Sequence, residues 1–374
     1  MRIGIDGRLL RVPRGIGTSI AGLLTGLSRL PKEHEYFIYV DSPQAVKLIP
    51  ACDAFTPRLI WPKFYPVWEQ LTFPMQLRRD RIDVVHCPAN TAPITPLGRT
   101  RLVLTVHDVI FLAKESGGTG ALSASLRAQR LYYRLCVPAA SMRASAIITD
   151  SEFSRRDILK YVDVSPSKVR SVALAAGEHF RELPDAERDA AKQRYRSDRY
   201  FVAPAAADPR KNTIRVIDAF ARCVRRTGAT HQLILFGLDD SARARFASYS
   251  QQLGIGDRVR LLGFVSEKDL VELYNAAEVM LYPSLYEGFG LPILEAMSCG
   301  APVVTSATTS LPEVAGDAAV LVDPLDTEGI THALIDLIEN PGKREALRAK
   351  GRARAHAFSW ERMAADCVAI YRAA

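Results

Sequence analysis

Short runs of β-branched and apolar residues along the first half of the chain alternate with stretches whose apolar positions recur at helical spacing. Strands are predicted at Arg2–Asp6, Tyr36–Val40, Asp83–His86, Leu102–Val106 and Ala146–Thr149, with an amphipathic helix over Thr18–Leu30. The second half repeats the pattern: strands at Tyr200–Ala203, Gln232–Phe236, Val259–Leu262, Val279–Tyr282, Ala301–Thr305 and Ala319–Val322, and helices at Thr213–Arg226 and Lys268–Ala277. Such alternation predicts an α/β chain of parallel, helix-covered sheets. Two series predict two domains, 1–181 and 182–359, divided ahead of the polar stretch Leu183–Asp198, which reads as a connecting segment followed by a short helix. A last amphipathic helix, Trp360–Ala374, is expected to pack back on the first domain. Parallel sheets bind ligands beyond their strand C-termini, so two facing sheets predict a deep interdomain cleft.

Length and composition support this picture. A chain of 374 residues exceeds one ordinary core, and 48% hydrophobic against 24% charged residues suits globular domains. Six scattered cysteines form no Cys-x-x-Cys pair, which fits reduced thiols rather than a zinc site or a disulfide framework. No apolar run reaches membrane-spanning length and a strand begins at Arg2, so a cytoplasmic protein without a signal peptide is expected. The net charge of +8 is uneven: residues 1–180 hold 24 Lys+Arg against 15 Asp+Glu. That basic half suits either peripheral contact with an anionic membrane or solubility alone. The stretch Trp61–Pro74, rich in aromatics and prolines, reads as an acceptor-side surface, a membrane contact, or a loop whose aromatics fill the first domain's core. No aromatic-basic recognition module points to nucleic acid.

The densest chemical signal is Pro283–Thr305, which reads as strand end, glycine loop, helix, glycine stop and strand. Gly288 and Gly290 allow close backbone approach, and the N–H groups of Phe289, Gly290 and Leu291 then face a ligand at a helix N-terminus, a seat for a diphosphate. Glu287, in the loop, and Glu295, expected in the first helical turn, are acceptor-only groups suited to sugar and ribose hydroxyls. Arg210 and Lys211, in Asp208-Pro-Arg-Lys-Asn212, supply the compensating cations. No Asp-x-Asp stands where it would hold a divalent ion, so no metal and no cofactor are expected. In the first domain Gly15 and Gly17 link a strand to a helix and offer further N–H groups to the phosphates, and His107, past the strand Leu102–Val106, is placed to contact a transferred sugar.

These residues resemble the family 4 retaining glycosyltransferases. The likeness rests on Gly4-Ile-Asp-Gly-Arg8 with Gly15-Ile-Gly17, Thr105-Val-His-Asp108, Asp150-Ser-Glu-Phe-Ser154, Pro209-Arg-Lys-Asn212, Gly263-Phe-Val265, Glu287-Gly-Phe-Gly-Leu291 with Glu295, and Leu311-Pro-Glu-Val314. It implies the GT-B fold, two Rossmann-like domains facing across a deep cleft. It also implies that Glu287 and the amides of Phe289–Leu291 hold the donor sugar and phosphates, Glu295 the ribose, Arg210 and Lys211 the diphosphate, and His107 the sugar, with the base seated by backbone at Phe264 and Val265. Within the family the chain is most similar to bacterial GDP-mannose-dependent mannosyltransferases that build surface polysaccharide on polyprenyl-diphosphate-linked or other glycan acceptors. Where relatives often carry glycine before Pro-Arg-Lys, this chain has Ala203-Pro-Ala-Ala-Ala-Asp208. A UDP-, ADP- or dTDP-sugar donor, or a nucleotide-sugar epimerase on the same fold, are the alternatives.

Overall fold

Strands buried on both faces are the mark of parallel sheets covered by helices, and the interior strands of both sheets here meet that condition while the four edge strands do not. The computed structural model describes residues 1–13, 15–112, 124–195 and 199–374. The first unit, Met1–Ala175 with Phe358–Ala374, holds a sheet of β1 (Arg2–Asp6), β2 (Glu35–Val40), β3 (Phe55–Leu59), β4 (Val84–Cys87), β5 (Arg101–Thr105), β6 (Ala146–Thr149) and β7 (Val169–Ser171). Its order is β3-β2-β1-β4-β5-β6-β7, with every paired strand parallel. The second unit, Ala176–Ala357, holds β8 (Tyr200–Pro204), β9 (Gln232–Phe236), β10 (Val259–Leu261), β11 (Val279–Tyr282), β12 (Val303–Ser306) and β13 (Ala319–Val322), in the order β10-β9-β8-β11-β12-β13. Both orders reverse direction beside their first strand, β1/β4 in one unit and β8/β11 in the other. That reversal is the topological switch point of a Rossmann-like sheet.

The division falls ahead of residue 182 because the intervening residues bond into the second unit. Asn275 accepts from Leu183 N at 2.7 Å and donates to Arg181 O at 2.9 Å. The charged stretch expected to connect the domains is itself largely a helix, Asp185–Arg194, with acidic residues in its first turn and basic ones in its last. The helix Trp360–Ala373 belongs to the first unit, lying against the helix Ile16–Arg29. Close approach there is a glycine effect: a Cβ at Gly26 would lie 2.1 Å from Trp360 O, and one at Gly22 2.3 Å from the Trp360 ring. Tyr371, fully buried on the same terminal helix, bonds His86 Nδ1 at 2.7 Å. In the stretch Trp61–Pro74 the residues divide: Trp68 and Phe73 stack inside the core, whereas Trp61 and Phe64 are exposed.

Candidate functional site

Crossovers leave β8 and β11 in opposite directions, so the loops after their C-termini border a crevice within the second unit. Past β8, Asp208 caps the short turn Pro209–Lys211 by accepting from Arg210 N at 3.0 Å, and its other oxygen holds the Arg210 guanidinium at 2.9 and 2.6 Å. This charge pairing and capping outweigh burial and keep the Asp208 carboxyl below its usual range, although burial alone would raise it. Asn212 then takes a left-handed backbone (φ 59°), a conformation asparagine tolerates, and its Nδ2 donates to Pro283 O at 2.8 Å and Pro324 O at 2.7 Å. The loop after β8 is thereby tied to those after β11 and β13.

That tie brings Lys211 onto Glu287. Lys211 Nζ donates to Glu287 Oε1 at 2.7 Å and to Tyr282 Oη at 3.0 Å, and Ser284 Oγ donates to the same glutamate oxygen at 2.6 Å. Tyr282 ends β11, is buried, and titrates well above the usual range because of its burial and the adjacent Glu287, so it stays a neutral phenol. Further along, Ser310 Oγ donates to Glu287 O at 2.9 Å and Phe289 O at 2.8 Å, fixing the loop's backbone. Gly290 is required twice over, by its φ of 112° and because a Cβ would lie 2.6 Å from Leu311 Cδ2. It precedes the helix Leu291–Ser298, whose N-terminus has no side-chain cap. Glu295 is the fifth residue of this helix, so it lies in the second turn rather than the first, and it is half-buried. Gly288 is half-buried, while the Phe289 side chain is packed inside. Beyond β10, Val265 is buried and Phe264 is 70% exposed.

In the first unit His107 lies just past β5, buried. Its Nδ1 faces Asp150 Oδ2 at 2.7 Å and its Nε2 faces Pro88 O at 3.1 Å. Two acceptors around one imidazole call for two N–H groups; burial opposes the charge, but Asp150 outweighs it and the His107 pKa is raised. Gly15 caps the helix Ile16–Arg29 with φ 56° and its Cβ direction is open, whereas Gly17 has a packing reason of its own, since a Cβ there would lie 1.8 Å from Val12 O. Arg14, between Pro13 and Gly15, lies outside the described residues.

One cluster carried no role in the sequence reading. Beside the β1/β4 switch point, Arg8 is buried with Nη2 at 2.5 Å from Glu69 Oε1 and 3.2 Å from Asp6 Oδ2, its guanidinium 4.1 Å from the Tyr65 ring centroid. Glu69 also accepts from Thr91 Oγ1 at 2.6 Å, Gln70 Nε2 at 2.8 Å and the Tyr132 hydroxyl. Burial pushes the Asp6 carboxyl up to about 6 against the pull of Arg8. The only signal in the sequence was the motif Gly4–Arg8; Glu69, on the π-helical turn Trp68–Thr72, gave none. Among the described residues no group of three or more His, Cys, Asp or Glu is arranged to hold a metal, and no helix is long and apolar enough to cross a membrane.

Solved structures share this fold. Anabaena Alr3699/HepE in complex with UDP-glucose superposes with a TM-score of 0.77 at 18% identity, covering 100% of both chains. WaaG, a glycosyltransferase involved in lipopolysaccharide biosynthesis, gives 0.73 at 17% identity, covering 99% of each. Two switch-point sheets in one chain, the second with cations and a carboxylate gathered at its crevice, define the GT-B fold of glycosyltransferases such as these. Family models resolve it further: Glycosyltransferase Family 4 matches residues 13–173 and Glycosyl transferases group 1 matches residues 185–354. The chain belongs to the family 4 glycosyltransferases. It is 36% identical over 234 residues to O-antigen chain mannosyltransferase B of Escherichia coli, 61% of each chain. It is 34% identical over 233 residues to the MMP alpha-(1->4)-mannosyltransferase of Mycolicibacterium hassiacum, 61% of this chain and 54% of the relative. The aligned stretch spans less than two thirds of either relative's length.

Proposed function

We propose that this glycosyltransferase moves mannose from GDP-mannose to a lipid-linked or oligosaccharide acceptor during assembly of a bacterial surface polysaccharide, with retention at the anomeric carbon and without a metal ion. The observation that carries the donor assignment is Lys211 clasped to Glu287 beside the uncapped, glycine-headed helix Leu291–Ser298. The mannosyl group is supported by relatives named as mannosyltransferases.

In this reading Arg210 and Lys211 take up the charge of the leaving diphosphate, and the backbone of Gly288, Phe289, Gly290 and Leu291 lines its seat. Glu287 and Glu295 accept from hydroxyls of the sugar and ribose, and backbone at Phe264 and Val265 seats the base. Gly15 and Gly17 supply further amides, Gly17 in addition to its packing role. His107 donates to the transferred sugar, giving up its bond to Pro88 O to do so. The bond from the anomeric carbon to the phosphate oxygen breaks, the acceptor oxygen bonds that carbon from the same face, and its proton passes to the departing diphosphate. The protein's contribution is position and neutralisation.

A thermal-shift screen with GDP, UDP, ADP and dTDP and their sugars, repeated with excess chelator, tests the reading. Stabilisation by GDP and GDP-mannose that survives chelation is expected, followed by an α-linked product by NMR. A shift confined to another nucleotide replaces the mannose reading; a shift abolished by chelator removes the metal-free one.

A further inference from the structure

In the second unit the helix Pro341–His356 carries six lysines and arginines against one carboxylate, Glu345. Five of the six are engaged. Lys343 pairs with Asp336, Lys350 with Asp317 at 2.8 Å and Arg352 with Glu182 at 2.7 Å; Arg344 donates to Ile338 O at 3.1 Å and Arg354 to Val314 O at 2.9 Å. Arg348 is half-buried, yet among the described residues it makes no hydrogen bond and no ion pair. Burial, with Arg188 and Arg344 close by, lowers its pKa from the ordinary arginine value against the pull of Glu345 and Glu182. Such a position costs free energy that no partner in the fold offsets.

Arg348 lines a cavity of about 300 Å³ that is also bordered by the helix Asp185–Arg194 and by the end of the helix Glu267–Ala276. A cation beside a helix C-terminus ordinarily bonds its last carbonyls; Arg348 bonds none of them. Arg188 and Lys192, one turn apart on Asp185–Arg194, line the same cavity. Each is paired within its own helix, Arg188 with Asp185 and Lys192 with Asp189, but the members of each pair differ in exposure: the carboxylates are 84% and 64% exposed, the cations 29% and 36%. Asp185 and Asp189 thus border the cavity from its wet rim, and the three cationic side chains lie deeper. Exposed pairs one turn apart on a helix are weak, so an anion can recruit both cations. Asn275, on the same wall as the helix end, has its amide committed to Leu183 N, Arg181 O and Val271 O and does not compete for them.

We infer that Arg348, Arg188 and Lys192 form a binding site for a phosphate group, separate from the donor crevice of the same unit. The planar fork of Arg348 takes two phosphate oxygens, and Arg188 and Lys192 leave their aspartates to share the others. The crevice around Lys211 and Glu287 contributes none of these residues.

Titration with inorganic phosphate at constant ionic strength, read by phosphorus NMR line width, tests the site. The full chain carrying R210Q/K211Q is used, because those changes remove the cations of the proposed donor seat and leave this cavity intact. Saturable broadening is expected. Adding R348M should weaken binding at least about tenfold, and adding R188Q/K192Q about fivefold. Glycerol phosphate distinguishes the sources: tighter binding than inorganic phosphate assigns a phosphomonoester, equal or weaker binding the free ion. Without phosphate, R348M should melt no lower than the parent protein, since methionine keeps an aliphatic stem and removes an unpartnered charge. No saturable binding to R210Q/K211Q, undiminished binding after R348M, or a lowered melting temperature in R348M overturns the proposal. Phosphate binding is read without donor or acceptor, so its outcome stands apart from that of the donor assignment.

Discussion

Replacing Tyr282 by phenylalanine removes one oxygen from the candidate donor site and little else. The ring stays buried with Lys211 Nζ 5.1 Å from its centroid, while that nitrogen loses its 3.0 Å partner and keeps the 2.7 Å bond to Glu287. A hydrogen bond to a charged group is worth about 1.5–3 kcal/mol net. Because the Lys211 side chain is 30% exposed, water replaces part of that bond, and a cost of about 1 kcal/mol follows. If Lys211 seats the diphosphate, GDP binding should weaken about fivefold by titration calorimetry, and the KM for GDP-mannose should rise with kcat little changed. A cycle with Lys211→Ala isolates the coupling: without the lysine, Tyr282→Phe should cost less, what remains reading the phenol's own hydrogen bond to Glu287. Undiminished GDP binding in Tyr282→Phe, or an equal loss with and without Lys211, would refute the argument that the phenol acts through the lysine.

Two further outcomes follow from the first unit. The folded-state pKa of His107 is raised, so its pairing with Asp150 stabilises the fold fully below the ordinary histidine range and less as pH rises through the folded value. NMR titration should place the imidazole midpoint above about 6.5, with Asp150→Asn lowering it; an unchanged midpoint counts against the pairing. Gly26→Ala should destabilise the protein by about 2 kcal/mol, read as a lower urea midpoint, because its methyl meets the backbone of Trp360 at 2.1 Å. An unchanged midpoint there would mean that the terminal helix moves aside at no cost.

Local pattern made much of the fold readable. Runs such as Leu102–Val106 and Val279–Tyr282 are apolar on both faces, which only a helix-covered parallel sheet satisfies, and glycines around Gly290 and Gly300 punctuate the one short helix they enclose. Strand β3 escaped notice because polar Thr56 and Arg58 and the proline at 57 interrupt its apolar run at a sheet edge, where Pro57 and Leu59 are exposed; β7 is only three residues long. The charged stretch Leu183–Asp198 read as a connecting segment followed by a short helix, and the helix Asp185–Arg194 takes up most of it. For the site, the charges of Glu287, Arg210 and Lys211 past strand ends were evident from residue type and spacing. What local sequence could not carry is partnership: Lys211 with Glu287 and Tyr282, His107 with Asp150, Arg8 with Glu69. These contacts join separate crossovers, and whether a buried charge is neutralised or stranded depends on where those crossovers return. The amino-acid sequence by itself determined the interior strands of both sheets, several of the helices and which residues bear charge at strand ends. Only the tertiary structure decided which charges meet, since periodicity is a property of neighbours along the chain and ion pairing a property of neighbours in space.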